Sequence, residues 1–150
     1  MSSPFCTLLR VRYGECDAQQ VVFNARYGDY VDVALTEFFR ALFGSYQALL
    51  AQGLDGQVVR MATDWKSSAR FDEVLAMEVS TSRVGTTSYT LLVRISEYFS
   101  GRHVADVEIV YVMVDAERKE KVTVPDDVRH RLLAGAPGER VDMAGLGEMK

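Results

Sequence analysis

Arg12–Phe43, RYGECDAQQVVFNARYGDYVDVALTEFFRALF, holds the change of pattern on which the fold turns. It begins at the end of a strand-like segment, residues 6–13, rich in Leu, Val and Tyr. A polar turn with the carboxylate of Asp17 follows, then the apolar step Val21, Val22, Phe23. From Asn24 the period changes. Tyr27, Val31, Ala34 or Leu35, Phe38 and Leu42 recur at steps of three and four, with Asp29, Asp32, Thr36 and Arg40 opposite. This spacing predicts an amphipathic helix of about five turns at 3.6 residues each, with a stripe broad enough to lie on a sheet. Asn24 is the expected N-cap and Gly44 the expected stop. A carboxylate thus stands a few residues before a helix N-terminus. Free N–H groups there can polarise a carbonyl, while the carboxylate attacks it or activates water. The pairing points to ester or thioester chemistry.

Beyond the helix, Tyr46–Gln52 reads as a second helical piece ended by Gly53. From Val58 onward the pattern is that of sheet. Strands are expected over residues 58–71, 74–84, 88–99 and 103–115, with turns at Gly85-Thr86-Thr87 and Ser100-Gly101-Arg102. The second half of the last strand is apolar on both faces, as for a strand inside a sheet. Pro125 opens a short helix running to Leu133, with proline near its first position. Residues 135–150 are Gly-rich and aperiodic and read as a flexible tail after a single domain over 1–134. The order of elements predicts an α+β fold, one curved antiparallel sheet wrapped around a long helix. Such a sheet leaves one face and its edges uncovered, which argues for a homo-oligomer.

Composition narrows the function classes. A chain of 150 residues, 48% hydrophobic and 25% charged, fits one soluble globular domain. The net charge of −4 and the absence of a long basic block give no reason to expect nucleic-acid binding. The N-terminus lacks the pattern of a signal peptide, and no apolar run approaches the roughly 20 residues of a membrane span. Cys6 and Cys16 have no metal-ligand spacing, and without an export signal they read as free thiols in the cytoplasm.

An Asp in a polar loop is by default a turn residue. At Asp17 the neighbourhood adds to that. YGECDAQQVVFNARY resembles the signature of the hotdog-fold thioesterases of the 4-hydroxybenzoyl-CoA type. In these a Tyr or Phe, an acidic residue two before the key Asp, and Asp-x-x-Gly-x-Val followed by an aromatic recur in order. The resemblance extends to about Leu133, and Arg70-Phe71-Asp72-Glu73-Val74-Leu75 matches the family's entry into its next strand. It implies a hotdog fold and hydrolysis of an acyl-CoA, with Asp17 as nucleophile or general base. Backbone amides around Phe23 and Asn24 would polarise the carbonyl. Coenzyme A would be part of the substrate, and no separate cofactor is implied. The chain departs from the pattern at Gln20, where the family has Gly, and at Asn24, where one branch has His and another Tyr. Asn24 cannot titrate, so it would cap the helix or orient water, while Gln20 could offer its side-chain amide to the pocket.

Phe23, Tyr27, Gln20 and Trp65 are the candidate substrate contacts, although a mid-strand Trp and a helical Tyr are also ordinary core residues. The turn Arg83–Ser88 resembles the family's region near the nucleotide, which makes Arg83, Thr87 and Ser88 candidate coenzyme A contacts. Hairpin chemistry alone would also explain them. His103 and His130 lie far from the loop in sequence, which weakens a dehydratase reading, and no cluster suggests a metal. The expectation is a cytoplasmic acyl-CoA thioesterase acting as a dimer or dimer of dimers. The alternatives are a non-catalytic acyl- or CoA-binding module and a thioesterase for acyl groups on acyl carrier protein.

Overall fold

A computed structural model describes residues 3–147 as one six-stranded sheet with three α-helices. The strands are β1 (Phe5–Arg10), β2 (Leu54–Trp65), β3 (Val74–Val84), β4 (Ser88–Glu97), β5 (His103–Asp115) and β6 (Arg140–Met143). The helices are α1 (Arg26–Phe43), α2 (Tyr46–Ala51) and α3 (Asp126–Ala134). Across the sheet the order is β2-β5-β4-β3-β1-β6.

α1 is 18 residues long, about 27 Å at 1.5 Å per residue. Its apolar stripe is the one the spacing predicts: Tyr27, Val31, Ala34, Leu35, Phe38 and Leu42 are buried. They share one core with Phe5 and Leu9 of β1 and with alternate residues of β3, β4 and β5, among them Met77, Val93 and Ile109. Full burial of such side chains is worth roughly 1.5–3 kcal/mol each, so this face dominates the cohesion of the domain. Gly44 ends the helix at φ 84°, its N–H donating to the Arg40 carbonyl at 2.8 Å. A residue with a Cβ would be strained there. The opposite face of the sheet is largely polar over β2, β5, β4 and β3. Arg60, Asp64, Glu78, Arg94, Asp106 and Glu108 line a shallow depression of about 540 Å³.

Several boundaries differ from expectation. Asn24 is not the N-cap: Ala25 is, and it already has helical φ/ψ (−67°, −21°) with no side-chain cap. The Arg26 N–H donates to the Phe23 carbonyl at 2.8 Å, so the chain enters α1 through a turn and not from the extended conformation that side-chain capping needs. β2 starts at Leu54 and stops at Trp65, where its pairing with β5 ends at Trp65–Ala105. Residues 66–73 then leave the sheet as a loop through Asp72 at φ 67°, a conformation Asp tolerates. The sheet is mixed and not purely antiparallel, because Arg140–Met143 runs parallel to β1 with Cys6 opposite Arg140. Residues 135–147 are therefore not a free tail in the structure, and residues 148–150 lie outside the described residues. Ala144 and Leu146 cover Leu8 and Val74 on the outer face.

Candidate active site

Asp17 sits where β1 gives way to α1. The preceding segment forms a single 3-10 turn, Tyr13–Glu15, and Glu15 organises it. Its carboxylate is 9% exposed and accepts from the Arg12 backbone N–H at 2.8 Å, from Arg12 Nη2 at 2.7 Å and Nε at 3.1 Å, and from the Tyr30 hydroxyl at 2.9 Å. Burial alone would raise its pKa. The hydrogen bonds from the Arg12 side chain, the Arg12 amide and Tyr30 outweigh that and hold the carboxyl below its ordinary range. The same contact and burial push the Tyr30 phenol well upward, so its proton stays in place as a donor.

Asp17 itself is exposed. Its Oδ1 accepts the Gln19 N–H at 2.8 Å, its own N–H donates to Val21 O at 2.9 Å, and its carbonyl accepts from Gln20 N–H at 2.9 Å. This is an Asx turn, so the turn role is real. It occupies one carboxylate oxygen and leaves Oδ2 without a protein partner among the described residues. Gln20 closes the turn at φ 66°, a left-handed conformation that glycine adopts at little cost. The loop therefore has the bend a glycine would give, reached with a glutamine.

Two cavities flank the loop. One, of about 440 Å³, is lined by Tyr13, Cys16, Asp17, Ala18, Gln20 and Phe71. Tyr13 and Phe71 meet edge-to-face at its mouth, ring centroids 5.7 Å apart, and both are exposed. Burial, then the charges of Glu15 and Asp17, raise the Cys16 pKa, which keeps that thiol protonated and a poor nucleophile beside Asp17. The other cavity, of about 340 Å³, is bounded by Val21, Val22, Asn24, Tyr27, Trp65, Lys66, Ser67 and Ser68. Trp65 is 48% exposed and packs edge-to-face on Tyr27 at 5.8 Å. The Tyr27 hydroxyl accepts the Ala69 N–H at 3.2 Å, which anchors the helix start to the loop before β3. Phe23, 52% exposed, lies in the chain between the two cavities.

The amides around Phe23 and Asn24 are not equivalent. The Phe23 N–H donates to the Glu15 carbonyl at 2.9 Å and is spent. Those of Asn24 and Ala25 donate to no acceptor among the described residues. At the start of α1 these are the available donors. The structure thus gathers Asp17, Gln20, Phe23, Asn24, Tyr27 and Trp65 around one loop, with Asp17 and Asn24 on different cavities.

Arg83, Thr87 and Ser88 lie elsewhere. Arg10, just before the Asp17 loop, pairs with Val74 at one end of β3, whereas Val84 and the turn after it are at the other end. Eleven residues of strand separate the ends by about 33 Å. In that turn the Gly85 N–H donates to Ser88 O at 2.7 Å, a plain hairpin closure, and Arg129 holds the Val84 and Gly85 carbonyls from α3. Within one chain these residues do not join the Asp17 site. His103 pairs with Asp106 at 2.8 Å and accepts the Ser67 hydroxyl on its carbonyl at 2.7 Å, and His130 is exposed on α3; neither lines either cavity. What the sequence reading did not single out is the Arg12–Glu15–Tyr30 network. The acidic residue two before Asp17 was its only sequence signal.

Comparison with known proteins supplies the family. Residues 11–132 match the thioesterase-like superfamily. The acyl-CoA thioester hydrolase YbgC of Escherichia coli is 28% identical over 120 residues, 80% of this chain and 89% of that protein. The acyl-CoA thioesterase YbgC of Haemophilus influenzae is 28% identical over 130 residues, 86% and 94% of the two chains. A thioesterase-superfamily structure from Jannaschia sp. CCS1 superposes with a TM-score of 0.82 at 22% identity, covering 90% of this chain and 94% of that one. The Asp17 loop, the helix that follows it and the sheet beneath them lie inside the matched residues, and the chain belongs to the thioesterase-like superfamily.

Proposed function

We propose that this protein is an acyl-CoA thioesterase of the hotdog type, releasing a free acid and coenzyme A, with Asp17 as its base or nucleophile. The observation that carries the reading is Asp17, which lines a 440 Å³ cavity with one carboxylate oxygen uncommitted, seven residues before unpaired amides at the start of α1. The names of the YbgC relatives support the substrate class. In the general-base form, Asp17 takes a proton as water adds to the thioester carbonyl. The oxyanion is held by the Asn24 and Ala25 amides, and one such donor is worth about 2.7–4 kcal/mol. Collapse breaks the C–S bond, and coenzyme A leaves as a thiolate that recovers a proton. In the nucleophile form, Asp17 first makes an acyl anhydride with loss of the same thiolate, and water then hydrolyses it. Neither form calls on a cofactor or metal. Gln20, Phe23, Tyr27 and Trp65 border the acyl and pantetheine path, and α1 is the central helix around which the sheet curves.

The working unit is a homodimer, formed along β2 and able to pair again, placed in the cytoplasm. β2 is a 12-residue edge strand with Val58, Val59, Met61 and Trp65 exposed. Antiparallel pairing of two such edges sets the Leu54 end of one chain beside the Trp65 end of the other. The Gly85–Ser88 turn lies at the Leu54 end of its own sheet, since Ser88 pairs with Val112 and Val112 with Gln57. The dimer therefore brings the partner copy's Arg83, Thr87 and Ser88 to the end that carries Asp17, where they would meet the nucleotide. Among the described residues no helix is long and apolar enough to cross a membrane.

The test is a panel of short, long, branched and aromatic acyl-CoA esters, read by release of free thiol, with carrier-protein thioesters beside it. Turnover of at least one CoA ester is expected. Coenzyme A binding without turnover of any ester would replace the enzyme by a binding module. A large preference for the carrier-bound ester would move the substrate to acyl carrier protein.

A further inference from the structure

Glu15 is one of three buried polar residues among those described, with Thr7 and Glu97. Glu97 caps its own turn through the Phe99 and Ser100 amides, a local task. Glu15 does something different. Its side chain takes the Tyr30 hydroxyl from the second turn of α1, fifteen residues on, while also taking the Arg12 amide and guanidinium at the end of β1. Its main-chain carbonyl takes the Phe23 N–H at 2.9 Å. One residue therefore ties together the strand end, the approach to the helix and the helix itself, and Asp17 is two residues away on the segment so fixed.

Burying a carboxylate costs several kcal/mol unless its partners restore what water gave. A simple turn between β1 and α1 would form without that expense. The segment that the network ties down carries the main-chain carbonyl that engages the first of the nearby amides. Phe23 is engaged, while Asn24 and Ala25 are open, so the carboxylate and the oxyanion donors keep one register. Catalysis is sensitive to such placement, since an error of about 1 Å can cost roughly 10²-fold in rate.

We infer that Glu15, through Arg12 and Tyr30, is a positioning residue that holds the Asp17 loop in register with the open amides at the start of α1. This rests on the thioesterase reading above. The experiment uses the full chain, and kcat and KM are measured per folded molecule on an ester that the wild type turns over. Tyr30→Phe keeps the ring and removes only the hydroxyl; Glu15→Gln keeps the shape and removes the charge. Each is expected to lower kcat at least roughly tenfold, the equivalent of a hydrogen bond to a charged group, with KM nearly unchanged. Adding Glu15→Gln to Asp17→Asn should cost little further, because residues acting as one unit are non-additive.

Wild-type kcat in folded Tyr30→Phe would overturn the inference. So would a rise in KM alone, or a loss of rate that only tracks loss of folded protein. If Glu15→Gln does not fold, Tyr30→Phe decides the matter by itself. The two readings fail separately: full activity in Asp17→Asn refutes the role of Asp17, whereas an inactive Asp17→Asn beside a fully active Tyr30→Phe refutes only the positioning by Glu15.

Discussion

At the level of single residues, Gln20 bears a backbone cost. A side chain held in the left-handed region is disfavoured by roughly 1–2 kcal/mol, and Gln20 sits there at φ 66° in the turn that presents Asp17. Gln20→Gly removes that strain but loosens the unfolded chain, which takes back about 0.4–1 kcal/mol. The expected result in urea unfolding is a net gain of up to ~1.5 kcal/mol. A clear loss would mean that the glutamine side chain itself holds the loop. The sequence marked this position as a departure from glycine. The structure makes a left-handed bend with glutamine, held by main-chain hydrogen bonds from Asp17 to Val21 and from Gln20 to Asp17. Asn24 is the converse case. Its type is a good cap, but the turn from Phe23 puts Ala25 in helical φ/ψ and leaves Asn24 to contribute its main-chain N–H.

Among the elements, β2 carries the most consequence for assembly. An edge strand of 12 residues with exposed apolar side chains is a template for pairing unless something covers it. The irregularity between Val58 and Arg60 leaves Val59 without a partner on β5 and 60% exposed. Val59→Asp together with Met61→Asp should shift the protein from dimer to monomer in sedimentation velocity at micromolar concentration. Catalysis should fall with it if the partner supplies part of the coenzyme A site. A monomeric wild type under the same conditions would contradict the assembly. β4 was legible from alternation because one face meets α1 and the other meets polar surroundings, whereas the second half of β5 was legible as a run apolar on both faces, in the middle of the sheet. β6 was not legible. Four residues, Arg140–Met143, carry too little pattern, and what makes them a strand is the free edge of β1 beside them.

The whole molecule explains why the site was only partly readable. Asp17 and the helix start are neighbours in sequence, so a local motif finds both. The candidate nucleotide contacts that the resemblance suggests, Arg83, Thr87 and Ser88, depend on which end of the sheet the β3–β4 turn occupies. That follows from the order β2-β5-β4-β3-β1-β6, which is set by tertiary pairing and by no local spacing. The single chain places them some 33 Å of strand from the Asp17 end. In the proposed dimer a second copy would return them to it. The Glu15 network lies between these extremes: its acid is in the motif, but its partner Tyr30 reads as an ordinary core residue until the helix is folded.

The central claim is that Asp17 carries the chemistry, and the most direct measurement is kcat of Asp17→Asn on the best ester of the panel. Asn keeps the Asx turn, because its side-chain oxygen can still accept the Gln19 N–H, so the loop should hold its shape and the unfolding midpoint its value. Loss of base catalysis alone predicts a fall of roughly 10²–10⁴-fold in kcat with the oligomer intact. Turnover within about twofold of wild type, well short of what losing a catalytic base should cost, would contradict the account.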